Sequence, residues 1–367
     1  MKLRSVFYNL QYFDFLFFSY INLLIFYGFI LIYSVTGAED LSRVKTQGIA
    51  LVIGMVFFIF FTVINYRLLA SFSWVLYLLS IILLGLLFFY GKLSRGSLSW
   101  FEIGTLHFQP SELIKFFMII VLASFFHRFY EKMNSWFYFV FSLILVSIPI
   151  GLIFLESDMG SAVIIFLIWL GMIFFTPVSF KKFAVFFIFL IFGCALAWLF
   201  MLAPYQKQRI TSFLNPEQDP QGAGYNILQV LITIGSGGLT GRGLGHGPQS
   251  QLNFVPEAHT DFIFALNAEE LGFLGVSVML AIYFFLFRRM IKILHDSKER
   301  LANFIILGSI FLFIFQFGIN IGMNTGLFPI VGIPLPFLSY GGSALVSYLM
   351  VCGIVENIVL NKKSALF

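Results

Sequence analysis

Ten predominantly apolar runs alternate with polar breaks along the chain, at residues 15–33, 48–64, 74–89, 110–126, 137–155, 160–175, 183–202, 262–287, 302–322 and 339–358. A helix needs about 20 such residues to cross the hydrocarbon of a bilayer. The pattern predicts an all-α polytopic membrane protein, one domain over 1–367 with about ten transmembrane helices. The first run follows Lys2 and Arg4 with no small-residue cleavage site after it, so it reads as a retained helix rather than a signal peptide. An even number of crossings places both termini on one side.

One connection departs from this rhythm. Residues 203–261 form a long loop between the seventh and eighth helices, and loops of such length are functional or disordered. Within it, 225–234 (YNILQVLITI) is apolar and aromatic enough to lie on or dip into the bilayer, which argues against disorder. A glycine cluster follows at 235–247 (GSGGLTGRGLGHG), where glycines permit tight turns and close approach to a ligand. It lacks the Gly-Lys-Ser/Thr ending of a P-loop, and no βαβ unit surrounds it, so neither nucleotide motif is present. A second glycine- and proline-rich stretch spans 326–342. Irregular backbone at membrane depth is tolerated where protein or a cavity covers it. Two such stretches on one face predict a cavity open to that face.

Composition removes the soluble alternative. Hydrophobic residues make up 60%, charged residues only 11%, and mean hydropathy is +0.96; soluble domains carry roughly 25% charged residues. The net charge of +5 matters less than its placement. With the N-terminus inside, the inner segments hold fourteen Lys and Arg, against Arg43, Lys45, Lys92 and Arg95 in the short outer loops. Positive charge accumulates on the cytoplasmic side, so both termini are expected there. Twelve of the seventeen acids lie toward the outer face, from Glu39 to Glu270. Cys194 and Cys352 both fall inside apolar runs and read as core residues rather than a disulfide or metal pair.

Ionisable groups at a membrane boundary are costly and become site candidates. Glu112 and Lys115 sit three residues apart at the start of the fourth run, behind Pro110. They form a structural ion pair or face a polar cavity. Thr260 and Asp261 open the eighth run, either as N-cap residues or as chemistry, with His259 beside them and Glu269 and Glu270 deeper along a continuous helix. Asp158, before Met-Gly, is a turn or N-cap residue or a ligand contact. No HExxH or Cys/His cluster marks a zinc site; a divalent cation (Mg2+ or Mn2+) between outer carboxylates stays open.

Four segments then carry a resemblance: Gln109-Pro-Ser-Glu112, the loop stretch 205–247, PEAHTDFIFALNAEELGFLG at 256–275, and GLFPIVGIPLPFLSYGGS at 326–343. Together they resemble the SEDS proteins, the shape, elongation, division and sporulation family of bacterial cell-wall polymerases, over nearly the whole chain. The GIPLPF and PEAHTDFIF stretches are more similar to the elongation member than to the division member. The resemblance implies a peptidoglycan glycosyltransferase of the inner membrane, acting on its extracytoplasmic face. It would polymerise the lipid-linked precursor lipid II through β-1,4 linkages and release undecaprenyl diphosphate. Asp261 matches the family's essential acid, Glu112 and Lys115 the polar pair of the fourth span, and Ser339 the serine of SYGGS.

The implied partners are a class B penicillin-binding protein, other elongation-complex proteins and membrane lipids; no nucleic acid is expected. Two positions depart from the family pattern. Glu156-Ser-Asp-Met-Gly160 stands where relatives tend to read Gln-Pro-Asp-Leu-Gly, and Gly96-Ser-Leu-Ser-Trp100 lacks a basic residue before the Trp.

An α-linked donor and a β-linked product require one inverting displacement, with a base on the acceptor hydroxyl. Asp261 is the expected base, since a carboxylate in half-dry surroundings accepts a proton more readily than one in water. Lys115, Arg209 and Arg242 are expected to stabilise the diphosphate; Asp158, His259, Glu269, Glu270 and Ser339 complete the expected substrate contacts. A lipid II or polyprenyl-lipid flippase is the alternative, and a recruiting scaffold the plainest one.

Overall fold

A computed structural model of the chain describes residues 12–36, 41–94, 97–103, 106–201, 207, 211–215, 223–252 and 254–364. The helices are α1 (Phe15–Thr36), α2 (Ser42–Val63), α3 (Tyr66–Ser71), α4 (Ser73–Tyr90), α5 (Pro110–Phe129), α6 (Trp136–Leu155), α7 (Met159–Ile173), α8 (Phe180–Leu196), α9 (Ala223–Ser236), α10 (Pro248–Gln251), α11 (Ile263–Asp296), α12 (Arg300–Asn324) and α13 (Gly342–Ser364). Among the described residues, nine helices are long and apolar enough to cross a membrane. The chain is a multi-pass membrane protein. The remaining predicted crossing is α7, whose 15 residues span roughly 22 Å against a hydrocarbon core of about 30 Å. Asp158 caps its start, and Pro177 stands shortly beyond its end.

The centre of the bundle is α5, α12 and α13, of which α13 is the most enclosed, while α8 lies at the periphery. Helix α13 runs along α2 at close range. A Cβ added at Gly353 would sit 2.5 Å from the Phe58 carbonyl oxygen, so a small residue there sets the helix spacing. Asn357 closes the junction: its Nδ2 donates to the Thr62 carbonyl at 2.7 Å, and its Oδ1 accepts from the Tyr66 N–H at 3.0 Å. Those two backbone groups are left over where α2 ends and α3 begins, and a helix end buried without partners is costly. Cys352 is buried in α13, consistent with a core residue; the side chain of Cys194 lies outside the described residues.

Two features differ from the pattern-based expectation. The connection between α4 and α5 holds a three-stranded antiparallel sheet, β1 (Lys92–Ser94), β2 (Ser97–Ile103) and β3 (Leu106–Phe108), with Phe101 opposite Phe108. Its signal is short: β-prone runs separated by glycine-containing breaks in the sequence. The second difference is in α11, which is not continuous. Gly272 breaks it with φ 64° and ψ −162°, a conformation open to glycine and strained for other residues.

The glycine cluster fills that break. Arg242 and Gly243 donate their N–H groups to the Glu269 and Glu270 carbonyls, each at 2.9 Å. In return Phe273 and Leu274 donate to the Gly238 and Leu239 carbonyls at 2.9 and 3.1 Å. Hydrogen bonds that the helix loses at Gly272 are thus replaced by loop backbone, as unwound backbone within a membrane protein requires. A Cβ at Gly241 would lie 2.1 Å from the Glu270 carbonyl oxygen, so contact this close excludes a side chain.

Candidate active site

At the end of the bundle that carries the glycine cluster, a cavity of ≈ 430 Å³ opens between α2, α5 and α13. Its inner wall is apolar, with Ile53, Phe57, Leu113, Val346 and Met350; its mouth is polar, with His107, Glu257, His259, Thr260, Tyr340 and Ser343. An apolar trough beneath a few convergent polar groups fits an amphiphile lying across the bilayer boundary.

Segment 257–261 is held against segment 332–341 by backbone-directed bonds. The Ser339 hydroxyl donates to the Thr260 carbonyl at 2.6 Å and accepts from the Leu335 N–H at 2.8 Å. Tyr340 donates its N–H to the His259 carbonyl at 2.9 Å. Asn320 and Asn324, on one face of α12, both donate to the Asp261 carbonyl at 2.9 and 3.0 Å. Asp261 therefore has a fixed backbone, and its carboxylate faces Gly332, where a Cβ would lie 3.5 Å from Oδ2. Glu257 and Phe337 both adopt positive φ, 57° and 66°. Bulky residues rarely do so, and such strain concentrates at functional sites.

The capping expectation for Thr260 and Asp261 is corrected. The N-cap of α11 is Phe262, which offers no side-chain acceptor. The first-turn N–H of Ala265 is taken instead by Asn324 Oδ1 at 3.3 Å. A cap supplied from another helix leaves the Asp261 carboxylate outside the helix, next in sequence to Thr260 of the cavity mouth but not itself in the lining. The expected continuous-helix relation between Asp261 and Glu269 therefore does not hold.

The structure separates the other candidate residues into groups. His259 is buried at the mouth, its Nε2 3.9 Å from Glu257 Oε2. Asp158 is an N-cap and a brace: Oδ1 accepts from the Ser161 N–H at 3.0 Å, and Oδ2 accepts from Gln109 Nε2 and the Ser111 hydroxyl at 2.9 and 2.8 Å. It ties the start of α7 to the start of α5. Glu112 and Lys115 form a buried ion pair at 2.6 Å and do not line the cavity.

Glu269 and Glu270 are fully buried and hold the loop. Glu269 accepts from the Gln249 and Ser250 N–H groups at 2.8 and 3.0 Å, and Glu270 accepts from the Ser34 hydroxyl and the Gly245 N–H at 2.5 and 3.1 Å. Arg242 is exposed on the docked loop, and Arg209 lies outside the described residues. The glycine cluster packs on α11 and does not line the cavity, contrary to the expectation that both irregular stretches shape it.

The carboxylates also bear on a divalent cation. Asp158, Glu269 and Glu270 already accept from protein donors, and the described residues include no group of three or more metal-ligating side chains. These carboxylates do not fit a shared ion. Sequence reasoning missed Asn320 and Asn324. Their signal is two amides one turn apart in an apolar span, where each needs a partner.

Glu156 presents a different chemistry. It follows the end of α6 with both carboxyl oxygens buried and without a hydrogen-bond partner among the described residues. Burial, reinforced by the neighbouring Asp158, pushes its pKa up to about 8 from 4.5. The folded chain therefore holds this proton at pH values where the unfolded chain has released it. The contribution of Glu156 to stability falls as pH rises from about 4.5 and levels off above about 8. Glu156→Gln should remove this dependence and stabilise the protein at alkaline pH by a few kcal/mol, at about 1.4 kcal/mol per pKa unit. Thermal unfolding of both proteins across that range checks the expectation; parallel pH profiles would refute it.

The fold and site define a polytopic membrane protein with an amphiphilic cavity at one end of its bundle and a backbone-clamped aspartate next in sequence to the residues of its mouth. Residues 14–364 match the family described as cell cycle protein, FtsW/RodA/SpoVE, and the chain belongs to that family. It is similar to the peptidoglycan glycosyltransferase MrdB of Escherichia coli (strain K12), 36% identical over 344 residues that cover 93% of this chain and 91% of the relative. Among solved structures, a chain from a peptidoglycan synthase complex, solved for its coordination of polymerization and crosslinking, superposes with TM-score 0.82 at 26% identity, covering 95% of this chain and 98% of that one. The rod shape determining protein RodA of Thermus thermophilus superposes with TM-score 0.70 at 24% identity, covering 95% and 97%, a likeness of fold.

Proposed function

We infer that this chain is a peptidoglycan glycosyltransferase of the bacterial cytoplasmic membrane, polymerising lipid II into β-1,4-linked glycan for cell elongation and rod shape. The observation that carries the reading is the amphiphilic cavity beside Asp261 in a chain related to MrdB along most of its length. The apolar trough takes the polyprenyl chain, and the polar mouth takes the sugars and diphosphate. The membrane thus confines both lipid-linked reactants to one plane beside one carboxylate. Both termini lie in the cytoplasm, and the cavity opens to the extracytoplasmic face, as the placement of Lys and Arg supports.

Asp261 removes the proton from the acceptor hydroxyl. The oxygen then attacks the anomeric carbon from the side opposite the diphosphate, and the carbon–oxygen bond to the diphosphate breaks with its electron pair on the leaving group. One such displacement converts the α-linked donor into a β-linked product, so no second nucleophilic carboxylate is required. His259 and Thr260 meet the sugar at the mouth. Arg242 stands on the docked loop outside the cavity lining, so its contact with the departing diphosphate, like that expected of Arg209, requires a substrate that extends beyond the cavity.

Lys115 with Glu112, and Asp158 with Gln109 and Ser111, act as positioning residues that hold α5 against the cavity. Ser339 holds the segment that precedes Asp261, and Glu269 and Glu270 hold the docked loop. The partner that would crosslink the glycan is a class B penicillin-binding protein, within a larger elongation complex.

The test is to incubate the purified protein with labelled lipid II in detergent, with and without the transpeptidase and a chelator. Glycan chains are expected. A flippase or a scaffold makes no polymer where no membrane barrier exists, so absence of glycan with the partner present would overturn the assignment.

A further inference from the structure

A second cavity, ≈ 370 Å³ in volume, lies at the opposite end of the bundle. It is bounded there by the end of α7, the end of α11 and the start of α12, whereas the start of α7 and the end of α12 meet the site described above. Its chemistry is mixed in a specific way. Lys298 and Arg300 stand at the rim, Phe175, Leu294 and Leu307 form apolar wall, and the Asn303 amide reaches the cavity between them. Asn303 Oδ1 is buried and has no hydrogen-bond partner among the described residues. An amide oxygen in that state lacks a donor.

We propose that this cavity is a binding site for the head group of an anionic phospholipid from the leaflet at that end. Three observations point to this ligand. The two cations fit a phosphodiester, with Arg300 pre-oriented by the Tyr130 ring, 3.9 Å below its guanidinium. Arg300 pairs at 3.2 Å with Glu131, which is largely exposed, a contact of small net worth that a phosphate can displace, and the neighbouring Glu299 is already engaged by Arg67 and Tyr66. The Asn303 side chain in the lining offers a neutral amide beside the cations, and the apolar wall fits the start of an acyl chain. Cationic pockets between helices at the membrane boundary recognise anionic head groups by these contacts. The proposal concerns a site separate from the polymerising one and does not rest on the function assigned above.

The probe is phosphatidylglycerol, which carries both the phosphodiester and the hydroxyls. Full-length protein in phosphatidylcholine nanodiscs is titrated with phosphatidylglycerol, reading its thermal midpoint and the lipid retained in native mass spectrometry. Saturable stabilisation with one retained molecule per chain is expected. Lys298→Gln should weaken the apparent affinity about fivefold, given roughly 1 kcal/mol per basic residue at the lipid surface, and Lys298→Gln/Arg300→Gln more than tenfold. Both variants are first compared with the parent in phosphatidylcholine alone. If the double variant unfolds there, Lys298→Gln decides, because the Lys298 side chain is exposed. Equal stabilisation by phosphatidylcholine, the full effect from inorganic phosphate, or unchanged affinity in Lys298→Gln would each overturn the proposal.

Discussion

Asp261→Asn is expected to lower the rate of glycan polymerisation by about 10²–10⁴-fold, the range a positioned general base supplies, while the protein remains folded and inserted. The two halves of this expectation rest on different atoms. Structure depends on the Asp261 carbonyl, which accepts from Asn320 and Asn324, and the substitution keeps that carbonyl. Chemistry depends on the carboxylate, which the amide replaces at nearly equal volume but without basicity. The measurement is glycan formation from labelled lipid II, with a thermal unfolding curve on the same preparation. A variant that polymerises at the parent rate would remove Asp261 from the mechanism. A variant that unfolds would show that its side chain supports the fold.

The second large effect is on stability. Lys115→Met leaves the Glu112 carboxylate buried without its counter-ion, and breaking a buried pair in this way costs about 3–5 kcal/mol. Glu112 has little to fall back on. It is 3% exposed, and its Oε2 has no hydrogen-bond partner among the described residues. The double variant Glu112→Gln/Lys115→Met should recover most of the loss, because the uncompensated charge disappears with it. The non-additivity between single and double variants is the coupling energy of the pair.

Denaturation midpoints in detergent measure that coupling, and additive losses would show that the pair is not the source. The same proteins also separate stabilisation from positioning. A folded double variant that polymerises lipid II supports the role behind the cavity wall. One that is folded and inactive shows that polymerisation needs the pair's positioning of α5 as well as the fold it stabilises.

Much of the molecule is legible in the order of its residues. Apolar run lengths locate the crossings, and α5 starts at Pro110 as the helix-start preference of proline predicts. Asp158 is readable as an N-cap, and Glu112 with Lys115 as a pair, because both relations act over a few residues. What is not legible depends on backbone. The docking of the glycine cluster into the α11 break uses N–H and carbonyl groups that every residue carries, so no side-chain pattern announces it. Glu269 and Glu270 illustrate the consequence. Two acids inside an apolar run suggest chemistry, and only the fold shows that their oxygens are taken by loop N–H groups and a serine from α1.

The sequence by itself determined that this chain lives in a membrane, roughly where it crosses, and which acid to examine first. Hydrophobicity and charge are properties of residues taken in order, and the bilayer reads them in order. Tertiary structure alone decided which carboxylates hold the protein together and which one is carried by a backbone clamp next to the cavity mouth. That distinction depends on partners distant along the chain: Asn320 and Asn324 for Asp261, the 245–250 backbone for the two glutamates, and Gln109 with Ser111 for Asp158. A carboxylate's chemistry follows from its neighbours in space, and only the folded chain supplies them.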